Sequence, residues 1–167
     1  KYRSSSEQGG GEGLSSSFIP LLPLSDREGS NNMGGAYFDS RSNSYFVCSI
    51  NPATVFIIST KDHQVRKIIT DESGRPLPGC MMVKRDANDS LWLLTANHVY
   101  RYSRATGKFS LFPTPNGSTE IVFRDMLQDK EGNYWFASFH QGLMFYNSRM
   151  KKFQPLPDSN VNHLSSA

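Results

Sequence analysis

The 167-residue chain has few cysteines, little excess charge and no long apolar run. Two cysteines, Cys48 and Cys80, are too few for a disulfide framework and report no redox compartment. Eighteen basic residues against fifteen acidic ones leave a formal charge of +3, spread along the chain. That bias is too weak for a nucleic-acid or membrane-surface protein. No apolar stretch reaches the roughly eighteen residues of a membrane helix. The N-terminus lacks the basic-then-apolar pattern of a secretory signal, so the expectation is a chain that is cytosolic, already processed, or a piece of something longer. Amphipathic helical periodicity is missing as well.

The familiar catalytic signatures are also lacking. There is no HExxH, paired CxxC or GxSxG, and Gly74-Arg-Pro-Leu-Pro-Gly79-Cys80 has cysteine where a phosphate-binding loop needs lysine. The histidines, His63, His98, His140 and His163, are too scattered for metal-ligand spacing. No catalytic residue, metal or cofactor is therefore expected, which disfavours an enzyme without excluding one. Asn88-Asp-Ser90 and Asn116-Gly-Ser118 match the glycosylation acceptor pattern but read as ordinary turns.

What is present is aromatic and unevenly distributed. The first 34 residues hold six glycines, eight serines and only two aromatics, whereas 18 of the 20 aromatics lie between Tyr37 and Phe153. Ser4 to Ser17 reads as a flexible insertion, because such residues bury too little apolar surface to offset their chain entropy. From Tyr37 onward the pattern has period two. Val55-Phe-Ile-Ile58, Leu91-Trp-Leu-Leu94 and Tyr134-Trp-Phe-Ala137 are short β-branched or aromatic runs closed off by Asp, Asn, Gly or Ser.

These runs repeat. Asp86 precedes Trp92 by six residues, Asp129 precedes Trp135 by six, and the copies are offset by 43. Val99-Tyr-Arg-Tyr-Ser103 then matches Leu143-Met-Phe-Tyr-Asn147, and Phe109 matches Phe153. A weaker copy upstream places Tyr45 six residues after Asp39, in the tryptophan position. Each unit holds four short strands, which is the arithmetic of a β-propeller blade. The expected fold is all-β, with antiparallel four-stranded blades at 35–74, 75–117 and 118–157. Residues 1–34 are expected to hold part of a preceding blade, with Phe18-Ile-Pro-Leu21 as its outer strand, and 158–167 to start the next at Val161-Asn-His-Leu164. Trp92, Trp135 and Tyr45 are expected to pack between blades. Three blades do not close a ring, for which four to eight are typical, so truncation of a larger propeller is the favoured explanation.

The stretch Asp129-Lys-Glu-Gly-Asn-Tyr-Trp-Phe-Ala-Ser-Phe-His-Gln-Gly-Leu-Met-Phe-Tyr146 resembles the two-component regulator propeller repeat, and Leu156-Pro-Asp-Ser-Asn-Val161 resembles that family's inter-blade linker. The second unit departs from it at Asn88-Asp89 and Asn97-His98, and the first keeps only the skeleton. The resemblance implies part of the periplasmic sensor region of hybrid two-component systems of Bacteroidetes-type gut bacteria. There, two seven-bladed propellers precede an immunoglobulin-like domain, a membrane helix and cytoplasmic kinase modules, which implies a fragment of a seven-bladed propeller, and the usual signals are polysaccharide breakdown products. The implied partners are an oligosaccharide, the remaining blades of the same propeller and a second copy of the parent sensor.

Within that frame, Asn97, His98, Phe139, His140 and Gln141 fall in loops joining second and third strands, on the face where propellers commonly bind ligands. Amides and imidazoles suit sugar hydroxyls, and an aromatic suits the apolar face of a sugar ring. Arg85 and Arg124, on inner strands, are candidates for an acidic ligand or for salt bridges between blades. Two rival readings are a propeller enzyme of the lyase kind and a protein-docking scaffold.

Overall fold

A computed structural model describes residues 32–115, 121–154 and 156. The expected outer strand at Phe18 to Leu21, the inner strand at Val161 to Leu164 and the Asn116 turn lie outside these residues. The described chain is all-β, with no α-helix. The first sheet comprises β1 (Asn32–Asp39), β2 (Ser44–Asn51), β3 (Thr54–Ser59) and β4 (Val65–Ile68). The second comprises β5 (Cys80–Arg85), β6 (Leu91–Thr95), β7 (Val99–Ser103) and β8 (Lys108–Phe112). The third comprises β9 (Phe123–Gln128), β10 (Tyr134–Ser138), β11 (Gly142–Asn147) and β12 (Lys152–Gln154). All pairings are antiparallel and strand order follows the sequence, which is the connectivity of a propeller blade.

The hairpins between the first two strands share an aspartate that accepts turn N–H groups and a residue of positive φ. Asp86 Oδ1 accepts the backbone N–H groups of Asn88 and Ser90, both at 2.9 Å, and Asp129 Oδ1 accepts that of Asn133 at 2.8 Å. The residue before the hairpin closes has positive φ in all three: Asn43 at 50°, Asp89 at 62° and Gly132 at 82°. Asn, Asp and Gly are the residues that tolerate this left-handed conformation most readily. His63, Gly107 and Lys151 take the same role in the turns between third and fourth strands, which accounts for His63 as a turn residue.

Two apolar layers hold the sheets together. Phe46, Cys48, Val55 and Ile68 of the first sheet meet Val83, Leu91, Leu93, Tyr100 and Phe109 of the second. Trp92, Leu94 and Val99 on the other side of the second sheet meet Phe123, Met126, Tyr134, Phe136 and Tyr146 of the third. All five residues of β6 are buried, because alternate side chains enter opposite layers. The β1 and β5 backbones also approach closely: a Cβ on Gly34 would lie 2.7 Å from the carbonyl oxygen of Cys80.

The structure corrects one expectation. Ser44 closes the first hairpin opposite Asp39, five residues on, whereas Ser90 and Asn133 close theirs four residues after Asp86 and Asp129. The first hairpin is thus one residue longer, and a one-residue shift turns every side chain to the other face. Phe46, 1% exposed, therefore occupies the inter-sheet position of Trp92, while Tyr45 is 46% exposed and faces away, against Phe38 at 5.1 Å. Trp92 is fully buried against Phe112 and Tyr134, as expected. Trp135 holds the equivalent position on the outward side of the third sheet, half-buried against Phe145.

Candidate functional site

In a meander of four strands, the loop between the second and third strands and the linker leaving the fourth emerge at the same end of the sheet. The residues expected to bind ligand, apart from Arg85, lie at this end. In the second sheet the tight turn after β6 is held by Thr95, whose N–H and hydroxyl both donate to the His98 carbonyl, at 3.0 and 2.8 Å, while the His98 N–H donates to Thr95 Oγ1 at 3.0 Å. Asn97 is exposed at the tip and His98 is half-buried. The His98 Nδ1 atom is buried and, among the described residues, has no hydrogen-bond partner. In the third sheet Ser138 takes Thr95's place, accepting from the Gln141 N–H at 3.1 Å and donating to the Gly142 carbonyl at 3.0 Å.

The linker from β4 to β5 forms the wall facing His98. Asp71, 1% exposed, accepts the N–H groups of Ser73 at 2.9 Å and Arg75 at 3.0 Å, the Ser73 hydroxyl at 2.6 Å and Arg75 Nε at 3.1 Å. Burial alone would raise the Asp71 pKa, but these bonds and the Arg75 charge hold it below the usual carboxylate range. A Thr70–Pro76 bridge and the bond from Leu77 N–H to Ile69 carbonyl at 2.9 Å close the base of the loop. Arg75, Pro76, Leu77 and Pro78 enclose, with His98, Tyr100 and Leu111, an open cleft of about 230 Å³. This wall includes part of the Gly74 to Cys80 stretch that fails as a phosphate-binding loop. The signal available was Asp71-x-Ser73-x-Arg75, a turn in which an aspartate caps following N–H groups.

A second cluster stands on the third sheet. The Arg124 guanidinium lies 5.5 Å from the centre of the Phe139 ring, and Phe139 meets His140 edge-on at 4.7 Å. Phe139 is 66% exposed, with its backbone pinned to the Val122 carbonyl at 2.9 Å. Arg124, Phe139 and His140 are thus brought together, with Gln141 adjacent in the same turn. A cation on one side of an exposed ring leaves the ring's remaining surface for an apolar ligand face.

Arg85 lies elsewhere. It ends β5 opposite Leu91, at the other end of β6 from His98 and so on the order of 15 Å away. There it pairs with Asp89 at 2.8 Å, and Arg41 of the first sheet pairs with the same carboxylate at 2.6 Å. A polar groove of about 370 Å³ at that end contains Arg41, Arg101 and Arg104, but each guanidinium is engaged. Arg104 grips Asp39 at 2.7 and 2.9 Å, and Arg101 donates to Ser90 Oγ at 2.8 Å. The cysteines are buried, and burial pushes the Cys80 thiol up to about 12 and the Cys48 thiol higher, so neither is a ready nucleophile. The loop end thus presents an exposed aromatic ring, imidazoles and guanidinium groups.

No family model matches the chain, and no curated protein matches it. Solved structures do. The chain matches a structure of the extracellular domain of BT4673 from B. thetaiotaomicron, described as a one-component system, with 16% identity and a TM-score of 0.62 over 80% of this chain and 17% of that one. A second structure of that domain, described as belonging to a hybrid two-component system, matches with 17% identity and a TM-score of 0.57, over 74% of this chain and 16% of that one. The extracellular domain of the hybrid two-component system BT3049 from the same organism matches with 16% identity and a TM-score of 0.55, over 75% and 15%. These likenesses establish the shared fold. They are also the kind of protein that the Asp129 to Tyr146 resemblance implied. The chain spans under a fifth of the length of each.

Proposed function

We propose that this chain is part of the ligand-sensing extracellular region of a two-component signalling protein, located in the periplasm or outside the cell, and that it recognises an oligosaccharide at the loop end of its sheets. The observation that carries this reading is a proline-walled cleft holding His98, Tyr100 and Arg75, with the exposed Phe139 ring beside Arg124 and His140 at the corresponding loop of the third sheet. Prolines and aromatic rings suit the apolar face of a sugar, and imidazole and guanidinium groups suit its hydroxyls or a carboxylate substituent. The shared fold with extracellular domains of bacterial signalling systems supports the sensor role.

On this reading the chain performs no chemistry. Ligand binding favours one arrangement of two parent subunits, and that differential affinity is the signal. Calorimetric titration of the parent sensor region with a panel of plant and host oligosaccharides tests it. The expected result is one ligand class whose affinity falls at least tenfold in His98→Ala and Phe139→Ala, with unfolding temperature unchanged. Silence across the panel overturns the oligosaccharide assignment.

A further inference from the structure

The two joints between sheets share one polar element. In the joint between second and third sheets, Asp86 Oδ2 accepts Trp92 Nε1 from its own sheet at 2.8 Å and the Tyr134 hydroxyl from the next at 3.0 Å. In the joint between first and second sheets, Asp39 accepts Ser42 Oγ from its own sheet at 2.6 Å and the Arg104 guanidinium from the next. Each hairpin aspartate is thus buried, 2% exposed at Asp39 and 6% at Asp86, and each receives a donor from the following sheet. Counted from the residue that closes the hairpin, Tyr45, Leu91 and Tyr134 are equivalent, one residue after Ser44, Ser90 and Asn133. Leu91 has no donor, and it is in that joint that Arg104 supplies one.

The same element stands open at both ends of the described stack. Tyr45 occupies the position of Tyr134 but faces outward, beside the 43%-exposed Phe38. At the other end Asp129 accepts Trp135 Nε1 at 2.9 Å, as Asp86 accepts Trp92, yet among the described residues no donor reaches it from another sheet. It is held by Asn133 instead, Trp135 is only half-buried, and Leu127 opposite it and Leu143, two residues from its other partner Phe145, are 57% and 45% exposed.

We propose that Tyr45 and Asp129 are the two open halves of this joint. The Tyr45 hydroxyl donates to a hairpin aspartate of a preceding four-stranded sheet, and Asp129 accepts a phenol or guanidinium from a following one, Trp135 being buried in the same contact. Both sheets belong to the same polypeptide. The exposed faces continue the geometry of the two joints already formed, Asp129 already holds Trp135 as Asp86 holds Trp92, and the solved proteins of this fold are chains of which this one spans 15 to 17%.

The test uses the full-length protein. Tyr45→Phe removes only a hydroxyl, and it is expected to lower the urea unfolding midpoint by a shift comparable to that of Tyr134→Phe, as Asp129→Asn does. Should Asp129→Asn fail to fold, acrylamide quenching of Trp135, obtained as the difference between the parent and Trp135→Phe, reads the same joint. A Trp135 quenched several-fold less than free indole is expected. A silent Tyr45→Phe, or a Trp135 quenched like free indole, overturns the proposal. So does protection of Trp135 that disappears on dilution, which would give these faces to a second copy of the protein.

Discussion

The Tyr134 hydroxyl reaches across from the third sheet to Asp86 Oδ2 at 3.0 Å, beside the Trp92 indole that donates to the same oxygen at 2.8 Å. One carboxylate thus fastens a tryptophan of its own sheet and a tyrosine of the next. Burial and the Asp86 charge push the Tyr134 phenol up to about 12, so it remains a donor throughout the neutral range. Tyr134→Phe deletes a hydrogen bond to a buried charged group and is expected to cost about 1.5–3 kcal/mol. Urea unfolding checks this, and a double-mutant cycle with Trp92→Phe is expected to be non-additive because both donors share one acceptor.

The Asp39–Arg104 pair gives the fold an acid-sensitive fastening. The hydrogen bonds from Arg104 lower the Asp39 pKa from 3.8 to about 2, against the opposing effect of burial. A depressed folded-state pKa contributes stability that is fully present above the unfolded value and is lost as pH falls from about 4 toward 2. The partly exposed guanidinium tempers the gain to about 1–2 kcal/mol. Arg104→Gln is therefore expected to destabilise the protein at pH 7 and to have little effect near pH 2. Thermal unfolding of both proteins across that window is the measurement.

Cys48 and Cys80 lie in the first apolar layer. Burial pushes both thiols up, Cys80 to about 12. At pH 8 the native protein is expected to react with a thiol reagent such as Ellman's reagent roughly a thousandfold more slowly than after unfolding, from thiolate fraction alone. The comparison is between rates with and without denaturant.

Phe46 and Tyr45 separate the two registers of the first sheet. Phe46→Ala opens a void in the first layer and is expected to cost about 3–5 kcal/mol. Tyr45→Ala removes a side chain that is 46% exposed in the described chain and is expected to cost much less there. Equal losses would return Tyr45 to the layer.

The division into four-stranded units was legible because its signals are local. Strand runs alternate with period two, and turn residues recur at fixed offsets. Asp86 and Trp92 could be matched to Asp129 and Trp135 by spacing alone, since their hairpins have equal length. The first unit could not be matched in this way. Ser40-Arg-Ser-Asn43 contains an additional turn residue that composition does not mark, and counting from Asp39 put Tyr45 where Phe46 belongs. The candidate site was legible in its loops, at His98, Phe139 and His140. Its wall at Arg75 to Pro78 was not, because the linker meets His98 only through the packing of consecutive sheets. Arg85 was assigned by strand alone, and its position along the strand decides which end it serves.

The central strand β6, buried on both sides, has no surface of its own. Its alternate side chains are shared out between the two apolar layers, so one strand serves both joints. The turn that carries His98 sits directly on the end of that strand. That end therefore joins an exposed loop directly to both apolar layers, with no intervening surface strand.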